Sequence, residues 1–186
     1  NAGKGRVQPG HKRYTVFSLW DTYRNVHQLL TLVYPERQND MLRSMTDMYK
    51  EWGWMPKWEL YGRETFTMEG DPAIPVITDS YLKGLDGFDV EAAWEAFLKS
   101  AETPGRGNLM RPDVDPYIEK GYIPLGVYSA DLSGDNSVSH ALEYYVADNA
   151  LSLFASALGH EAEAEKFRAR SLGYRHYYSP EYGCLR

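Results

Sequence analysis

Two short stretches hold side chains whose types and spacing could do chemistry. The first is FSLWDTYR, residues 17–24, where Trp20 stands beside Asp21 and Arg24 follows one helical turn later. A carboxylate and a guanidinium at this spacing are commonly a surface ion pair. The residues around them are strongly apolar, with Phe17, Leu19, Leu29, Leu30 and Leu32, which predicts an inner helix. An Asp on such a helix requires a partner, because an unpaired buried carboxylate is costly. The second stretch is GWMPKWELYGRETFTMEG, residues 53–70, dense in aromatics and carrying Arg63, Glu64 and Thr65. The flat faces of Trp54, Trp58 and Tyr61 suit the C–H faces of a sugar ring. Asp, Glu and Arg supply paired hydrogen bonds to neighbouring hydroxyls. The competing reading has Trp54 and Trp58 plugging a helix end. The separation of Asp21 from Glu64 along the chain does not show whether they meet.

Other polar groups point to chemistry less directly. Asp113, Asp115, Asp131 and Asp135 form an acidic group in a long loop, and oxygen donors in such loops suit calcium. Neither DVD nor SGDNS matches the twelve-residue EF-hand pattern, and helix capping by Asp135 or Asn136 is the simpler reading. His140, Glu143 and Asp148 share one predicted helix. His140 and Glu143 have metal-like spacing, but HALE lacks the second His of a zinc motif. No Gly-rich phosphate loop, G-x-S-x-G elbow or H-E-x-x-H motif occurs. Cys184 is the single cysteine, which excludes an internal disulfide and a Cys-based zinc site and reads as structural rather than nucleophilic.

The elements that must position these groups are helical. Val16, Leu19, Trp20, Tyr23, Val26, Leu30 and Val33 recur at spacings of three and four, which predicts one amphipathic helix from Tyr14 to Tyr34. Pro35 suits the first position of a second helix, which Gly53 ends. Residues 53–70 show neither helical nor strand period, and loops of this length are usually functional. Asp71-Pro72 reads as N-cap and first position of a third helix reaching Gly84, and Asp89 caps a fourth. A second long connection, residues 103–136, allows one helical turn at Pro116–Lys120. A fifth helix spans Ser137 to Leu158, and a sixth spans Glu161 to Tyr178 with acidic residues in its first turn. The closing SPEYGCLR reads as a turn and a short extended segment.

Six helices in pairs, without clear strands or a fixed-period repeat, predict an all-α chain forming about the first half of an (α/α)6 barrel or toroid. Residues 1–13 are polar and Gly-rich and are expected to be a mobile leading segment, leaving 14–186 as a partial catalytic domain. The absence of an initial Met and the stop at Cys184-Leu185-Arg186 read as a piece of something longer. The 186 residues are 43% hydrophobic with 5 Trp, 15 Tyr and 6 Phe, apolar surface that disordered chains lack. No apolar run approaches the length of a membrane span. With 20 basic against 26 acidic residues, the net charge of −6 argues against nucleic acid or anionic lipid as a main partner.

FSLWDTYRNVHQLLTLVYPER, GWMPKWELYGRETFTMEGDPAIPVITDSYLKG and SVSHALEYYVADNALSLFASALG, in that order, resemble the catalytic domain of glycoside hydrolase family 92. The pairing of FSLWDT with a later G-x-E-T segment is specific in a way that neither piece is alone. Arg63 departs from the pattern, since several relatives have Cys or Asn there. The resemblance implies a calcium-dependent, inverting exo-α-mannosidase acting on mannose-containing oligosaccharide, α-1,2-linked, in N-glycans or yeast mannans. It implies a β-sandwich ahead of the barrel, a periplasmic or extracellular setting, and a general acid and base in blocks that follow Arg186. It leaves substrate binding to this segment: Asp21 and Arg24 on hydroxyls, Trp20 as a wall, and Arg63 with Glu64 binding substrate or orienting its binders. No catalytic acid or base is assigned here, the calcium ligands are not located, and the segment alone is expected to be inactive. A trehalase- or glucoamylase-like (α/α)6 hydrolase and a non-catalytic helical scaffold are the alternatives.

Overall fold

The computed structural model of the protein describes residues 9–127 and 136–186. Among them lie eight α-helices: α1 (Leu19–Thr22), α2 (Val26–Val33), α3 (Pro35–Trp52), α4 (Ala73–Leu82), α5 (Val90–Glu102), α6 (Val114–Lys120), α7 (Ser137–Ala157) and α8 (Glu161–Ser171). Two minimal antiparallel hairpins accompany them: β1 (Glu59–Leu60) with β2 (Arg63–Glu64), and β3 (Tyr178–Ser179) with β4 (Cys184–Leu185). Helices α2, α4 and α7 stand side by side in one layer. Behind them α3 packs on α2, α5 on α3 and α7, and α8 along α7. This alternation is that of a partial (α/α)6 toroid, as the helix pattern predicts.

Several boundaries follow from local chemistry. Pro35 opens α3, where its missing N–H costs nothing, and Gly53 closes it at φ 87°, a conformation that disfavours any residue with a Cβ. Asp89 caps α5 by accepting from the Ala92 amide at 3.0 Å. The main core joins all the long helices through Leu42, Met45, Ile74, Ile77, Phe97, Phe154 and Phe167, none of them exposed. A smaller aromatic cluster of Tyr117, Tyr144, Tyr145 and Tyr177 seats α6 and the C-terminal turn on α7.

The single helix expected over Tyr14–Tyr34 is broken. Residues 14–18 are not helical, α1 is a single turn, and α2 starts at Val26 after Asn25 leaves the helical region at φ −157°. The break serves buried polar groups that periodicity does not reveal. The His27 ring lies between the Thr22 hydroxyl at 3.0 Å and the Gln38 amide oxygen at 3.1 Å, and Gln38 donates to Ser80 at 3.1 Å. Burial lowers the His27 pKa and keeps the ring neutral, despite the opposing Gln38 contact. Leu29 and Leu32, which pointed to an inner helix, are 60% and 74% exposed. The sixth helix ends at Ser171 and continues to Tyr177 as a 3-10 helix, within which a Cβ on Gly173 would stand 2.6 Å from both the Gly121 carbonyl oxygen and the Tyr145 ring. Of the leading segment, residues 1–8 lie outside the described residues, while Arg13 donates to Glu51 at 2.9 Å and pairs with Asp47 at 3.6 Å.

Asp71 does not cap α4; Pro72 occupies that position and the Asp71 carboxylate turns inward. It accepts from Ser100 Oγ at 2.5 Å and from Arg111 Nε at 3.2 Å. Arg111, wholly buried, also donates to Asp148 at 2.7 Å. Asp148 further accepts from Tyr117 at 2.7 Å and from Arg170 Nη2 at 3.0 Å. Burial pushes the Asp148 carboxyl up, but Arg111 and Arg170 outweigh it and hold its pKa below the ordinary value. A depressed carboxyl stabilises the fold above its unfolded pKa of about 4 and loses that contribution as pH falls through the folded pKa. Removing one partner leaves buried charge uncompensated, so Asp148→Asn is predicted to cost about 3–5 kcal/mol at neutral pH. Urea unfolding should show that penalty shrinking below about pH 4, and a pH-independent penalty would contradict the ionic role.

Candidate carbohydrate-contacting edge

The two stretches singled out by sequence meet in space. The Leu19 amide donates to the Lys57 carbonyl at 3.0 Å, and Ser18 bridges Trp58 in antiparallel fashion. The start of α1 therefore lies along the strand-like segment that leads into the β1–β2 hairpin. Two carboxylates act as internal templates for this hairpin. Glu59, buried, accepts from Thr15 Oγ1 at 2.8 Å, the Val16 amide at 2.5 Å and the Gly62 amide at 2.7 Å. Glu64 accepts from the amides of Lys57 at 2.7 Å, Trp58 at 2.9 Å and Phe66 at 2.8 Å. Burial raises the Glu64 pKa, and the three amides oppose but do not cancel that effect.

Backbone strain concentrates at the same place. Among the described residues, the non-glycine positions with positive φ are Val16 at 62°, Tyr61 at 53°, Phe66 at 52° and Met68 at 70°. A β-branched or bulky residue holds such a conformation only where its surroundings over-determine it, and such residues cluster at functional sites. At Val16 the constraint is the Glu59 carboxylate on its amide.

The predicted site residues separate into an edge and its support. Trp20 and Arg24 are brought together: the guanidinium carbon lies 4.8 Å from the Trp20 ring centroid and 4.7 Å from that of Tyr23. Asp21 is exposed and accepts a hydrogen bond from the Ser18 hydroxyl. Asp21 therefore needs no buried partner, because the helix turns this carboxylate outward. Nor does Arg24 pair with Asp21. Its Nη2 donates to Glu143 on α7 at 3.0 Å, and its Nη1 to the Tyr23 hydroxyl at 3.0 Å. Arg63 is exposed on the hairpin, whereas the Glu64 carboxylate points into the loop and is occupied by amides. Trp54 takes the helix-end role, stacked under Lys99, whose ammonium lies 4.5 Å from the ring and donates to the Gly53 carbonyl at 2.7 Å. Trp58 is half-buried beside Ser18.

His140 and Glu143, whose spacing is metal-like but lacks the second His of a zinc motif, face different partners. His140 Nδ1 faces Asp113 at 3.1 Å, while Glu143 reaches across to Tyr23 and Arg24. Among the described residues, no group of three or more His, Cys, Asp or Glu is arranged to hold a metal ion. Asp115 binds the Gly105 amide at 2.9 Å, and Asp131 and Asp135 lie outside the described residues. Asn136, at the α7 N-cap position, makes no capping bond and donates instead to Glu69 at 2.7 Å. Cys184 is exposed and free. No helix among the described residues is long and apolar enough to cross a membrane.

The fold is a partial helical toroid, and one of its edges carries an indole, a carboxylate and a guanidinium. Comparison with known proteins makes the class particular. The profile of the glycosyl hydrolase family 92 catalytic domain matches residues 2–186. The chain belongs to this family. Its fold matches the inverting mannosidase BT2199 of Bacteroides thetaiotaomicron VPI-5482, at 30% identity and a TM-score of 0.85 over 94% of this chain and 23% of that one. It also matches the α-mannosidase BT3965 of Bacteroides thetaiotaomicron, at 35% identity and a TM-score of 0.86 over 97% of this chain and 23% of that one. BT3965 is known both alone and in complex with mannoimidazole. The chain thus spans under a quarter of the length of these relatives. Comparison with curated proteins finds no match. Membership of this family sets aside a trehalase- or glucoamylase-like hydrolase and favours an enzyme over a scaffold.

The template role of Glu64 is testable. In Glu64→Gln one oxygen still serves Trp58 and Phe66, but the new NH2 faces the Lys57 amide donor to donor. The substitution is predicted to cost about 1–3 kcal/mol. Hydrogen exchange should show faster exchange across residues 57–66, and unchanged protection there would contradict the template role.

Proposed function

We propose that the whole protein containing this chain is an exo-acting α-mannosidase, cleaving α-1,2-linked mannose from N-glycans or mannans by an inverting, calcium-dependent route. The observation that carries the reading is the Trp20–Asp21–Arg24 edge, in a chain of a family whose solved relatives are named as mannosidases. Asp21 is exposed and has a neighbouring hydroxyl as its partner, so its remaining lone pairs can accept from sugar hydroxyls. Arg24 uses part of its donor fork on Tyr23 and Glu143, and its side chain is 48% exposed, so other N–H groups can reach a sugar oxygen. Trp20 offers an apolar face to the C–H side of the ring. Arg63, on the rim, is the further candidate contact, and Glu64 acts by shaping the loop that carries it.

In an inverting reaction one carboxylic acid protonates the leaving oxygen while a carboxylate activates water on the opposite face, the two about 6.5–9.5 Å apart. On this reading both residues lie beyond this chain, and its own groups bind and orient the sugar. Calcium, when bound, would engage sugar hydroxyls as a template and Lewis acid. Among the described residues no group of three or more His, Cys, Asp or Glu is arranged to hold it, and its ligands are left unassigned. Action on extracellular glycans fits a periplasmic or secreted location.

Mannose release from an α-1,2-linked mannobioside by the full-length protein tests this reading. Release should be abolished by EDTA and restored by calcium; no release from well-folded protein would contradict it. Because a hydrogen bond to a charged group contributes about 1.5–3 kcal/mol, Asp21→Ala should lower kcat/KM at least about tenfold with the fold intact. Full activity in that variant would remove Asp21 from the site.

A further inference from the structure

The residue that organises the sugar-facing edge lies on a different helix, far along the chain. Glu143, on α7, has both carboxylate oxygens engaged: Oε2 accepts from the Tyr23 hydroxyl at 2.7 Å and Oε1 from Arg24 Nη2 at 3.0 Å. Arg24 Nη1 donates to the same Tyr23 oxygen at 3.0 Å, so the three side chains close a ring of hydrogen bonds. The Tyr23 pKa is raised, first by burial and then by Glu143, which keeps the phenol a proton donor to the carboxylate. Glu143 is nearly covered, its side chain 15% exposed, whereas that of Arg24 is 48% exposed. The buried member of the pair is thus the anchor and the exposed member is what it holds.

Two further observations show that the surroundings are built around this carboxylate. A Cβ on Gly70 would stand 2.6 Å from the Glu143 Cβ, and Gly70 has φ 77°, so a residue without a side chain lets the aromatic loop pass over the stem of Glu143. The loop is also tied to the preceding turn of α7, where Ser139 donates to Glu69 at 2.9 Å. The guanidinium so held lies against the Trp20 ring. An isolated Arg samples many rotamers, and a bidentate-like clamp removes that freedom before any ligand arrives.

We infer that Glu143 is a positioning residue, fixing the Arg24 guanidinium, and through it the Trp20 indole, in the orientation that meets substrate. The inference rests on the sugar-binding reading of Trp20 and Arg24 given above. A carboxylate serves both donors at once, because each of its oxygens accepts one of them. In Glu143→Gln one of the two donors, Tyr23 or Arg24, faces an NH2 group.

The test uses the full-length protein with Glu143→Gln, Glu143→Ala, Arg24→Ala and the Glu143/Arg24 double variant. Kinetics on an α-mannoside should place most of the loss in KM, with kcat/KM down roughly ten- to a hundredfold in Glu143→Ala and less in Glu143→Gln. The double variant should be no worse than Arg24→Ala, because Glu143 acts through Arg24. Wild-type KM in a folded Glu143→Gln variant, or additive losses in the double variant, would overturn the inference. A second readout does not depend on turnover. Phenylglyoxal labelling of Arg24, followed by mass spectrometry, should speed up in Glu143→Gln, and an unchanged rate would also overturn the inference. If the wild-type protein releases no mannose, the functional reading fails by itself, and the labelling rate still decides whether Glu143 holds Arg24.

Discussion

The rest of the structure depends on a buried guanidinium. Arg111 has no exposure, and an uncompensated charge in that position would be several kcal/mol unfavourable. It is held between Asp71 at the start of α4 and Asp148 in the middle of α7, with Arg170 of α8 and Tyr117 of α6 completing the set around Asp148. Asn108 adds its side chain to the Arg111 amide at 2.9 Å and the Ser100 carbonyl at 2.8 Å, pinning the connecting loop to α5. Five helices thereby meet at one ionic centre. Apolar packing between helices tolerates sliding, whereas a charge network of this kind has one satisfactory register. The register of α7 against α4 is what carries Glu143 to the break between α1 and α2.

The loop of residues 53–70 solves a second problem, that of holding an irregular segment still. It does so with carboxylates rather than apolar packing. Glu59 and Glu64 each gather three donors, at least two of them amides, from residues that would otherwise leave those groups unpaired. The arrangement supports four left-handed non-glycine residues and presents Tyr61 and Arg63 outward. Rigid support under exposed aromatic and charged groups is what a binding edge requires, because affinity is lost whenever such groups must be ordered by the ligand.

Much of this was legible in the sequence where local signals act alone. Pro35 and Gly53 bound α3, Asp89 caps α5, and α7 was legible as a long helix. The failures share a cause: a local rule was overridden by a distant partner. The period from Tyr14 to Tyr34 runs on through a break made by His27, Gln38 and the strand pairing with Lys57, none of which leaves a periodic trace. Asp71 before Pro72 has the form of a cap, yet Arg111 and Ser100 claim it. Glu64 was legible as important but not as a template, and Glu143 stood out only for its spacing from His140 because its partners, Tyr23 and Arg24, lie in the turn between α1 and α2. No local signal marks Glu143, since Gly70, which passes over its stem, is one of three glycines in the loop.

In the function proposed above, α1, the aromatic loop and α7 together form a sugar-binding edge at Trp20, Asp21 and Arg24. The most direct measurement is a crystal structure of the full-length protein soaked with a mannose-configured inhibitor. The expected result is a sugar ring with hydroxyls on Asp21 and Arg24, Trp20 against its C–H face, and Glu143 still clasping Arg24 from behind. A ring bound elsewhere, with these three side chains untouched, would contradict it.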